Sequence, residues 1–410
     1  MAKKENRHAE LVSASANIEA PYELPEGWEW CRLPECVSIV TGKKDANYGT
    51  PDGKYLFFTC AEQPLRCDDY SFEGESLLLP GNGANVGQVI YYDGQFEVYQ
   101  RTYVLQKIIE SFSLKYLYYH ILGFWENYNH DKQYGSATNY IKMGNFLNYI
   151  FPLPPTLAEQ QRIVNRIETM FAKLDEAKEK AQNVVDSFET RKAAILHKAF
   201  TGQLKIDNEE LSIEDWEEKK LGEVCESIFD GDHMPPPKAE SGIPFLVISN
   251  VNTGFLSFDN TRYVPNDYYD SLSETRKPKT GDVLYTIVGS YGIPVLVDSD
   301  RAFCFQRHMA LLKPSKLISS RYLWYVLQSN EMYQKATSIA TGTAQLTVPI
   351  KGLRELTIPV PPLNYQLSIV NFLDIVLEKE SRAKEAAQTV LDQIALLKKS
   401  ILARAFRGEL

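Results

Sequence analysis

Two closely similar segments decide the fold of this chain: PPTLAEQQRIVN at residues 154–165 and PPLNYQLSIVN at residues 361–371. Each is followed by a second shared motif, AFTGQL at residues 199–204 and AFRGEL at residues 405–410. From Gln160 onward, equivalent residues lie 206 positions apart in a chain of 410 residues. The sequence is therefore an internal repeat, and each element predicted in one half is expected again in the other.

Each Pro-Pro pair precedes a long segment without proline, which predicts a helix that starts directly after the pair. Apolar residues alternate in steps of four and three, interrupted only by Arg191 in the first helix and Glu380 in the second. This period is typical of a coiled coil, and a length of ~60 Å disfavours the alternative of an amphipathic helix on a globular core. The main seam residues are Ile163, Ile167, Met170, Leu174, Val184, Phe188, Ile195, Ile369, Leu373, Val376, Val390, Ile394, Leu397 and Ile401.

Because both helices carry this seam in the same phase, the natural partner of each helix is the other one. We expect an antiparallel coiled coil, which would relate the two halves by a pseudo-twofold axis and separate two globular domains. Both helices are expected to end at glycine, Gly202 and Gly408, as helices commonly do.

The region before each Pro-Pro pair predicts a mixed domain, and the fold class is α+β. Short β-branched or aromatic runs bounded by turn residues predict the strands Ser76–Pro80, Gln88–Tyr92, Arg101–Ile109, Ile243–Ile248, Asp282–Val288 and Ile293–Val297. Helices are predicted at Phe112–Gly123 and Ser319–Asn330. The predicted organisation is an N-terminal segment 1–26, domains 27–155 and 211–362, and helical segments 156–210 and 363–410. The second domain is longer, and its extra residues are expected between Gly231 and Arg307.

The composition places the chain among folded proteins, with 44% hydrophobic residues and a net charge of −9. The negative charge argues against nucleic acid as a partner, but a whole-chain average says nothing about one surface. No apolar run approaches the roughly 20 residues that cross a bilayer, and residues 1–20 contain no apolar signal-peptide core. Six cysteines without a Cys-x-x-Cys pair predict a reduced, soluble protein of the cytoplasm with no membrane partner.

Catalytic motifs are missing from the sequence. The chain contains neither the Asn-Pro-Pro or Asp-Pro-Pro motif of amino-methyltransferases nor a P-loop. The glycine-rich stretch Gly81–Gly87 predicts a turn between two strands and not a cofactor loop. A nuclease signature can be assembled only from Pro51-Asp52 and Glu218-x-Lys220, a match expected by chance. The six histidines have no metal-ligand spacing. We therefore predict no catalytic residue, metal or cofactor in this chain.

The doubled layout of domain, Pro-Pro, glutamine-containing helix and Ala-Phe-x-Gly-x-Leu resembles the specificity (S) subunit of type I restriction-modification enzymes. The stretch Leu24–Trp28 also resembles the start of a target recognition domain in that family. The second half departs from the pattern, since Leu367 replaces the second glutamine and Trp216 lacks the preceding Pro-x-Gly. The resemblance covers nearly the whole chain.

This resemblance implies a non-catalytic subunit that recognises a bipartite double-stranded DNA target, with one domain for each half. The helices would fix the spacer and dock two modification (M) subunits, which carry S-adenosylmethionine and methylate adenine. Restriction (R) subunits, carrying ATP and Mg²⁺, would join through the complex. The departures at Leu367 and Trp216 suggest that the two M contacts are not equivalent.

Four places that repeat between the halves carry side chains able to contact DNA. The candidates are Lys43 and Lys44 against His233; Asn82 and Asn85 against Ser290 and Tyr291; Arg101 against Arg307; and Ser136, Thr138, Asn139 and Lys142 against Thr343, Gln345 and Lys351. The pairs Gln100-Arg101 and Gln306-Arg307 either contact DNA or brace the fold. Given the net charge, we expect weak binding by the isolated chain.

Two other functions stay open at this point. One is a self-contained DNA methylase or nuclease, and the other is a coiled-coil scaffold that binds only proteins, which the acidic composition favours.

Overall fold

A computed structural model describes residues 21–135, 139–206, 209–210, 216–231 and 236–410. The chain divides into two compact units. The first contains the chain up to Gln182 together with Thr389–Leu410, and the second is Asn183–Gln388. Each unit therefore holds one mixed domain and a portion of both long helical segments.

The first domain contains two four-stranded sheets. Its elements are β1 Glu29–Arg32, α1 Leu33–Cys36, β2 Val37–Thr41, β3 Tyr55–Phe58, β4 Leu65–Cys67, β5 Phe72–Glu73, β6 Ser76–Pro80, β7 Ile90–Tyr92, β8 Gln95–Val98, β9 Thr102–Lys107, α2 Leu114–Asn129, α3 Met143–Leu147 and β10 Ile150–Leu153. One sheet has the antiparallel order β2-β9-β6-β7, and the other has the order β4-β3-β8-β5 with β3 and β8 parallel. Strands β1 and β10 form a separate antiparallel pair.

The segment after the first Pro-Pro pair is helical, as predicted. It consists of α4 Leu157–Asp186 and α5 Phe188–Phe200, followed by the short antiparallel strands β11 Lys205–Ile206 and β12 Glu209–Glu210. The two helices meet at Ser187, whose hydroxyl donates to the Asn183 carbonyl, the same carbonyl that accepts from the backbone N–H of Ser187 at 3.1 Å.

The second domain repeats the architecture of the first. Its elements are β13 Glu217–Lys220, α6 Leu221–Val224, β14 Cys225–Asp230, β15 Ile243–Leu246, β16 Arg262–Val264, α7 Asn266–Ser271, β17 Val283–Thr286, β18 Pro294–Leu296, β19 Cys304–Phe305, β20 Met309–Pro314, α8 Ser320–Leu327, α9 Asn330–Ile339, α10 Ile350–Glu355 and β21 Thr357–Val360; the long helix α11 is Leu363–Ala405.

Sheet order confirms the repeat and the α+β class. The order β14-β20-β17-β18 matches β2-β9-β6-β7, the parallel pair β15 and β19 matches β3 and β8, and β13 with β21 matches β1 with β10. All six predicted strands are present. The extra residues of the second domain include α7 and a 3₁₀ turn at Glu274–Arg276, inside the predicted interval.

A buried glutamine joins each long helix to the domain that precedes it. The Oε1 atom of Gln160 accepts from the backbone N–H of Ser113 at 2.8 Å, and that of Gln366 accepts from Ser319 at 2.8 Å. Ser113 and Ser319 are the N-caps of α2 and α8. Each amide nitrogen also donates to a carbonyl of its own Pro-Pro segment, which satisfies both ends of the buried side chain.

The closing Ala-Phe-x-Gly-x-Leu motif of each half packs on the domain of the other half. Phe406 lies 5.0 Å from the ring of Tyr116 in the first unit, and Phe200 lies 5.6 Å from Tyr322 in the second. Gly202 and Gly408 have positive φ angles of 71° and 75° and end the helices as predicted. Each long helical segment thus begins on its own domain and ends on the other one.

The helical segments run antiparallel within each unit, as the fold prediction required. In the first unit Asp175 pairs with Lys398 at 2.6 Å, and Arg162 donates to the carbonyl of Leu410. In the second unit Glu189 pairs with Lys384 at 3.7 Å, beside the pairing of Arg191 with Glu380. Higher residue numbers on one helix therefore face lower numbers on the other.

Two positions of the predicted seam are wrong, because their side chains lie on the surface. Val390 and Leu397 are 39% and 47% exposed, whereas the intervening Ile394 is buried. A straight helix drifts by about 20° per heptad relative to a 3.5-residue repeat, so the buried stripe moves to Leu391 and Lys398. The other seam residues are buried or half-buried: Ile163, Ile167, Met170, Leu174, Val184, Phe188, Ile195, Ile369, Leu373, Val376 and Ile401.

The two charged interruptions of the seam are partners. The guanidinium Nε of Arg191 donates to the Glu380 carboxylate at 2.7 Å, with both side chains mostly covered. Arg191 also bonds Ser187 and the carbonyl of Val184. A polar pair at a seam position fixes the register of a coiled coil, because any slip leaves covered charges unpaired.

Replacing Gln366 by Leu is expected to lower the free energy of unfolding of the second unit by about 2 kcal/mol, because the N–H of Ser319 loses its acceptor. Gln160→Leu is expected to act equally on the first unit. Urea unfolding with hydrogen exchange at the amides of Ser113 and Ser319 measures both effects. Gln161→Leu is the matched control, since Gln161 is exposed and the second repeat already carries Leu367 there. An equal loss in the control would contradict this role.

Reversing either charge of the seam pair, Arg191→Glu or Glu380→Arg, is expected to destabilise the second unit by about 1–2 kcal/mol. The double reversal restores a favourable pair and should recover most of that loss. Thermal unfolding of the unchanged chain, the two single variants and the double variant gives a double-mutant cycle. The exposed pair Glu378 and Arg382 on α11 is the control, where reversal should change stability by less than about 0.5 kcal/mol. Strictly additive effects at Arg191 and Glu380 would refute the register role.

Candidate nucleic-acid interface

The turn after the parallel strand pair carries an exposed arginine in both domains. Strand register pairs Phe58 with Val98 and Leu246 with Phe305, so Val98 and Phe305 are equivalent. A glycine packs against each of these carbonyls, and a Cβ on Gly42 would lie 1.9 Å from the oxygen of Val98. Only glycine fits there, and Gly231 repeats the arrangement at Phe305.

This register corrects the sequence alignment of the two Gln-Arg pairs. With Val98 equivalent to Phe305, the offset is 207, and Arg101 is equivalent to His308 while Gln100 is equivalent to Arg307. Sequence identity alone aligns the two Gln-Arg dipeptides at an offset of 206 residues, which pairs Arg101 with Arg307. The prediction was wrong by one residue because sequence identity favoured a pairing without the gap that the strands require.

The glutamines brace the turns and the arginines face solvent. Gln100 donates to the Asp45 carboxylate at 3.0 Å, and the Gln306 amide lies 3.1 Å from Nδ1 of His308. Arg101 and Arg307 are exposed, and their guanidinium groups form no hydrogen bond or ion pair within the part of the chain that the structure describes. The glutamines therefore brace the fold, and the exposed arginines stay candidates for contact with DNA.

Backbone hydrogen bonds bring three of the four predicted places together in each domain. The glycine turn (residues 81–87 and 287–292) forms backbone hydrogen bonds with two neighbouring segments. On one side lies the hydroxyl-rich loop (residues 135–142 and 342–351), and on the other lies the arginine turn (residues 99–102 and 306–309). In the first domain these bonds are Gly83 N–H to Asn139 O, Ile141 N–H to Gly81 O and Gly81 N–H to Arg101 O, all at 2.9 Å. In the second domain they are Gly289 N–H to Leu346 O at 3.0 Å, Val348 N–H to Ile287 O at 2.8 Å and Ile287 N–H to His308 O at 2.9 Å.

In the second domain these segments enclose an open depression of about 360 Å³. Three of the four predicted places contribute to its wall: the segment that begins at Asp230, the turn that carries Arg307, and the loop that carries Gln345. The lining residues are Asp230, Ile287, Val288, Arg307, His308, Gln345, Thr347, Val348, Pro349 and Ile350. Burial and the neighbouring Arg307 lower the pKa of His308, which favours the neutral ring at neutral pH.

The first-domain candidates occupy varied surroundings. Lys43 is exposed, whereas Lys44 lies 3.2 Å from the Asp69 carboxylate and over the ring of Tyr48, contacts that raise the pKa of Lys44. Asn85 donates to the carbonyl of Cys60 at 2.9 Å and so supports the glycine turn.

Three further first-domain candidates belong to the hydroxyl-rich loop and the neighbouring glycine turn. The Lys142 ammonium lies 4.1 Å from the ring centre of Tyr134, and Asn82 forms a backbone bridge with Tyr140. Asn139 contributes its backbone carbonyl to the same arrangement. Ser136 and Thr138 lie outside the described residues, as does His233 of the second domain.

Most second-domain candidates are exposed, with one correction. Ser290, Thr343, Gln345 and Lys351 lie on the surface. Tyr291 is only 8% exposed, stacks on Tyr333 at 5.6 Å and hydrogen-bonds Thr337, so its ring belongs to the core and is not available to DNA. The sequence reasoning missed His308, which adjoins Arg307, and from residues 230–233 it selected His233 instead of Asp230.

Within the described ranges, no group of three or more His, Cys, Asp or Glu side chains is arranged to hold a metal ion. The helices described here include none that is long and apolar enough to span a membrane.

Each domain thus presents a polar edge, which is the surface formed by its glycine turn, its hydroxyl-rich loop and its arginine turn. Long helices connect the two domains along the chain. This arrangement defines a two-domain recognition protein. The family model for the type I restriction modification DNA specificity domain matches residues 25–186 and again residues 213–389. The chain belongs to this family.

Relatives and solved structures agree with that assignment. The type I restriction enzyme EcoDI specificity subunit of Escherichia coli is 25% identical over 412 residues, covering 95% of this chain and 90% of its own. The MjaVIII specificity subunit of Methanocaldococcus jannaschii is 26% identical and covers 90% and 92%. The HsdS subunit crystal structure from Thermoanaerobacter tengcongensis has a TM-score of 0.67 at 22% identity, covering 96% of this chain and 100% of that one, and shows the same fold.

The chain is accordingly a specificity subunit of a type I restriction-modification system, with two target recognition domains. Of the three functions that the sequence left open, the recognition subunit is the one supported, and the catalytic and scaffold alternatives are set aside.

Proposed function

We propose that each polar edge binds one half of a bipartite DNA target and that the paired helices set the spacer between the halves. One observation carries this proposal: the same segments, joined by the same backbone hydrogen bonds, form the edge in both domains. The side chains on the two edges differ, as two different half-sites require. The exposed Arg101 and Arg307 supply local positive charge on a chain whose net charge is −9.

The chain acts within a larger complex and performs no chemistry itself. Two M subunits bind its helical regions and methylate adenine with S-adenosylmethionine, while R subunits supply ATP- and Mg²⁺-dependent restriction. The repeat supports two equivalent partners, because Leu157 and Leu363 begin α4 and α11 at matching positions and both side chains are exposed. The neighbouring position differs, with Gln161 in one repeat and the exposed Leu367 in the other, which gives the two docking sites unequal apolar surface.

The proposed location is the cytoplasm, where DNA and the nucleotide cofactors of the partners are found. The cysteines support a reducing compartment, since all six are free, including Cys31 and Cys36 with their sulfur atoms 3.1 Å apart. Phosphate contacts by this acidic chain are few, so high affinity depends on the partners completing the protein surface around DNA.

A domain exchange tests the proposal. Residues 27–150 are replaced by the corresponding segment of the EcoDI specificity subunit, and methylated adenines are mapped by sequencing in cells that also express the M partner. One half of the methylated motif is expected to change while the other half is retained. The same kind of exchange in the second domain, at residues 216–355, is the control. It should change only the other half of the methylated motif. Changes in both halves from a single exchange, or in neither, would disprove the assignment of one domain to each half-site.

A further inference from the structure

Arg307 and Gln345 reach the second-domain depression from two different elements. Arg307 lies on the turn between β19 and β20, and Gln345 lies on the exposed loop that precedes α10. Both side chains are exposed and line the same concave surface. Each side chain carries two adjacent hydrogen-bonding groups, so each can form a bidentate contact with one base edge.

Glycine at position 289 makes room for the Gln345 amide. A Cβ on Gly289 would lie 2.9 Å from Nε2 of Gln345, a contact that a small shift of the flexible amide would relieve, so the φ angle of 73° is the stronger reason for glycine. The Gln345 side chain therefore lies over the glycine turn, near the depression, before any ligand binds.

The chemistry of the depression favours bases over phosphate. Phosphate oxygens accept hydrogen bonds only and are repelled by carboxylates, whereas base edges present both donors and acceptors. The depression combines the donors of Arg307 with the carboxylate of Asp230 and the mixed amide of Gln345. An aspartate in the wall makes the depression less favourable for a phosphate group than for a base edge.

The equivalent positions of the first domain carry different groups. Thr41 stands where the second domain has Asp230, and Gln100 stands where it has Arg307. The backbone arrangement is shared while the hydrogen-bonding groups change. Such variation is what two domains need if they recognise different half-sites with one architecture.

We propose that Arg307 and Gln345 are specificity-determining residues that recognise base edges in the half-site bound by the second domain. This inference rests on the proposed function and goes beyond it by naming the residues that choose the bases. Arginine most often contacts guanine and glutamine contacts adenine, so each residue is assigned one purine position.

The test uses the full chain with its M partner in cells and maps methylated adenines by sequencing. Arg307→Ala and Gln345→Ala are each expected to relax one base position of the same half-site, with discrimination falling about 10- to 100-fold, and to leave the other half unchanged. Arg307→Lys keeps the charge but loses two-point bonding, so it should relax the same position. Lys279→Ala is the control, since Lys279 is exposed, precedes β17 at the end opposite Ile287 and does not line the depression.

DNA binding by the purified complex at several salt concentrations separates base contact from phosphate contact. A base contact predicts that Arg307→Lys keeps the wild-type salt dependence while losing discrimination. An unchanged motif, with binding weakened equally on all sequences and a smaller salt dependence in Arg307→Ala, would overturn the inference. In that outcome the wild-type bipartite motif still supports the proposed function, whereas a wild-type complex without any bipartite motif would refute the function itself.

Discussion

The structure depends on the buried glutamine that begins each long helix. Gln160 and Gln366 each accept from the backbone N–H of the residue that caps a domain helix and donate to a carbonyl of the preceding Pro-Pro segment. The direction in which a long helix leaves its domain is therefore fixed by hydrogen bonds that are expensive to leave unmade. The phenylalanines Phe200 and Phe406 then attach the far end of each helical segment to the other domain. Because both halves make these contacts, the two domains are joined by two matched helical connections and not by one flexible linker.

The polar pair of Arg191 and Glu380 complements these attachments. Apolar seams tolerate slippage by a turn, because one apolar residue can replace another with little loss. A charged residue on each helix has only one position at which it meets its partner. The helices thus have a defined register as well as a defined start and end, which is what a recognition protein with a fixed spacing between half-sites requires.

Much of the fold could be predicted because the repeat supplied each element twice. The strands, the α+β class and the antiparallel helices followed from period and turn residues, whereas helix drift moved the seam away from Val390 and Leu397. The site was less accessible to sequence reasoning. Burial removed Tyr291 from the candidate DNA contacts, and strand register shifted the Gln-Arg alignment by one residue. Neither burial nor a one-residue gap has a signal in a single sequence, and the meeting of Asp230, Arg307 and Gln345 depends on loops distant along the chain.

The most direct test of the account is to lengthen both helices together. Seven residues inserted after Gln182 and seven after Gln388 preserve the heptad phase and extend each helix by about 10 Å, the length of roughly three base pairs of DNA. Mapping of methylated adenines should then give a motif with both half-sites unchanged and a spacer about three base pairs longer. A methylated motif whose spacer is unaltered, or whose half-sites change, would contradict the claim that the helices set the distance between two independent recognition domains.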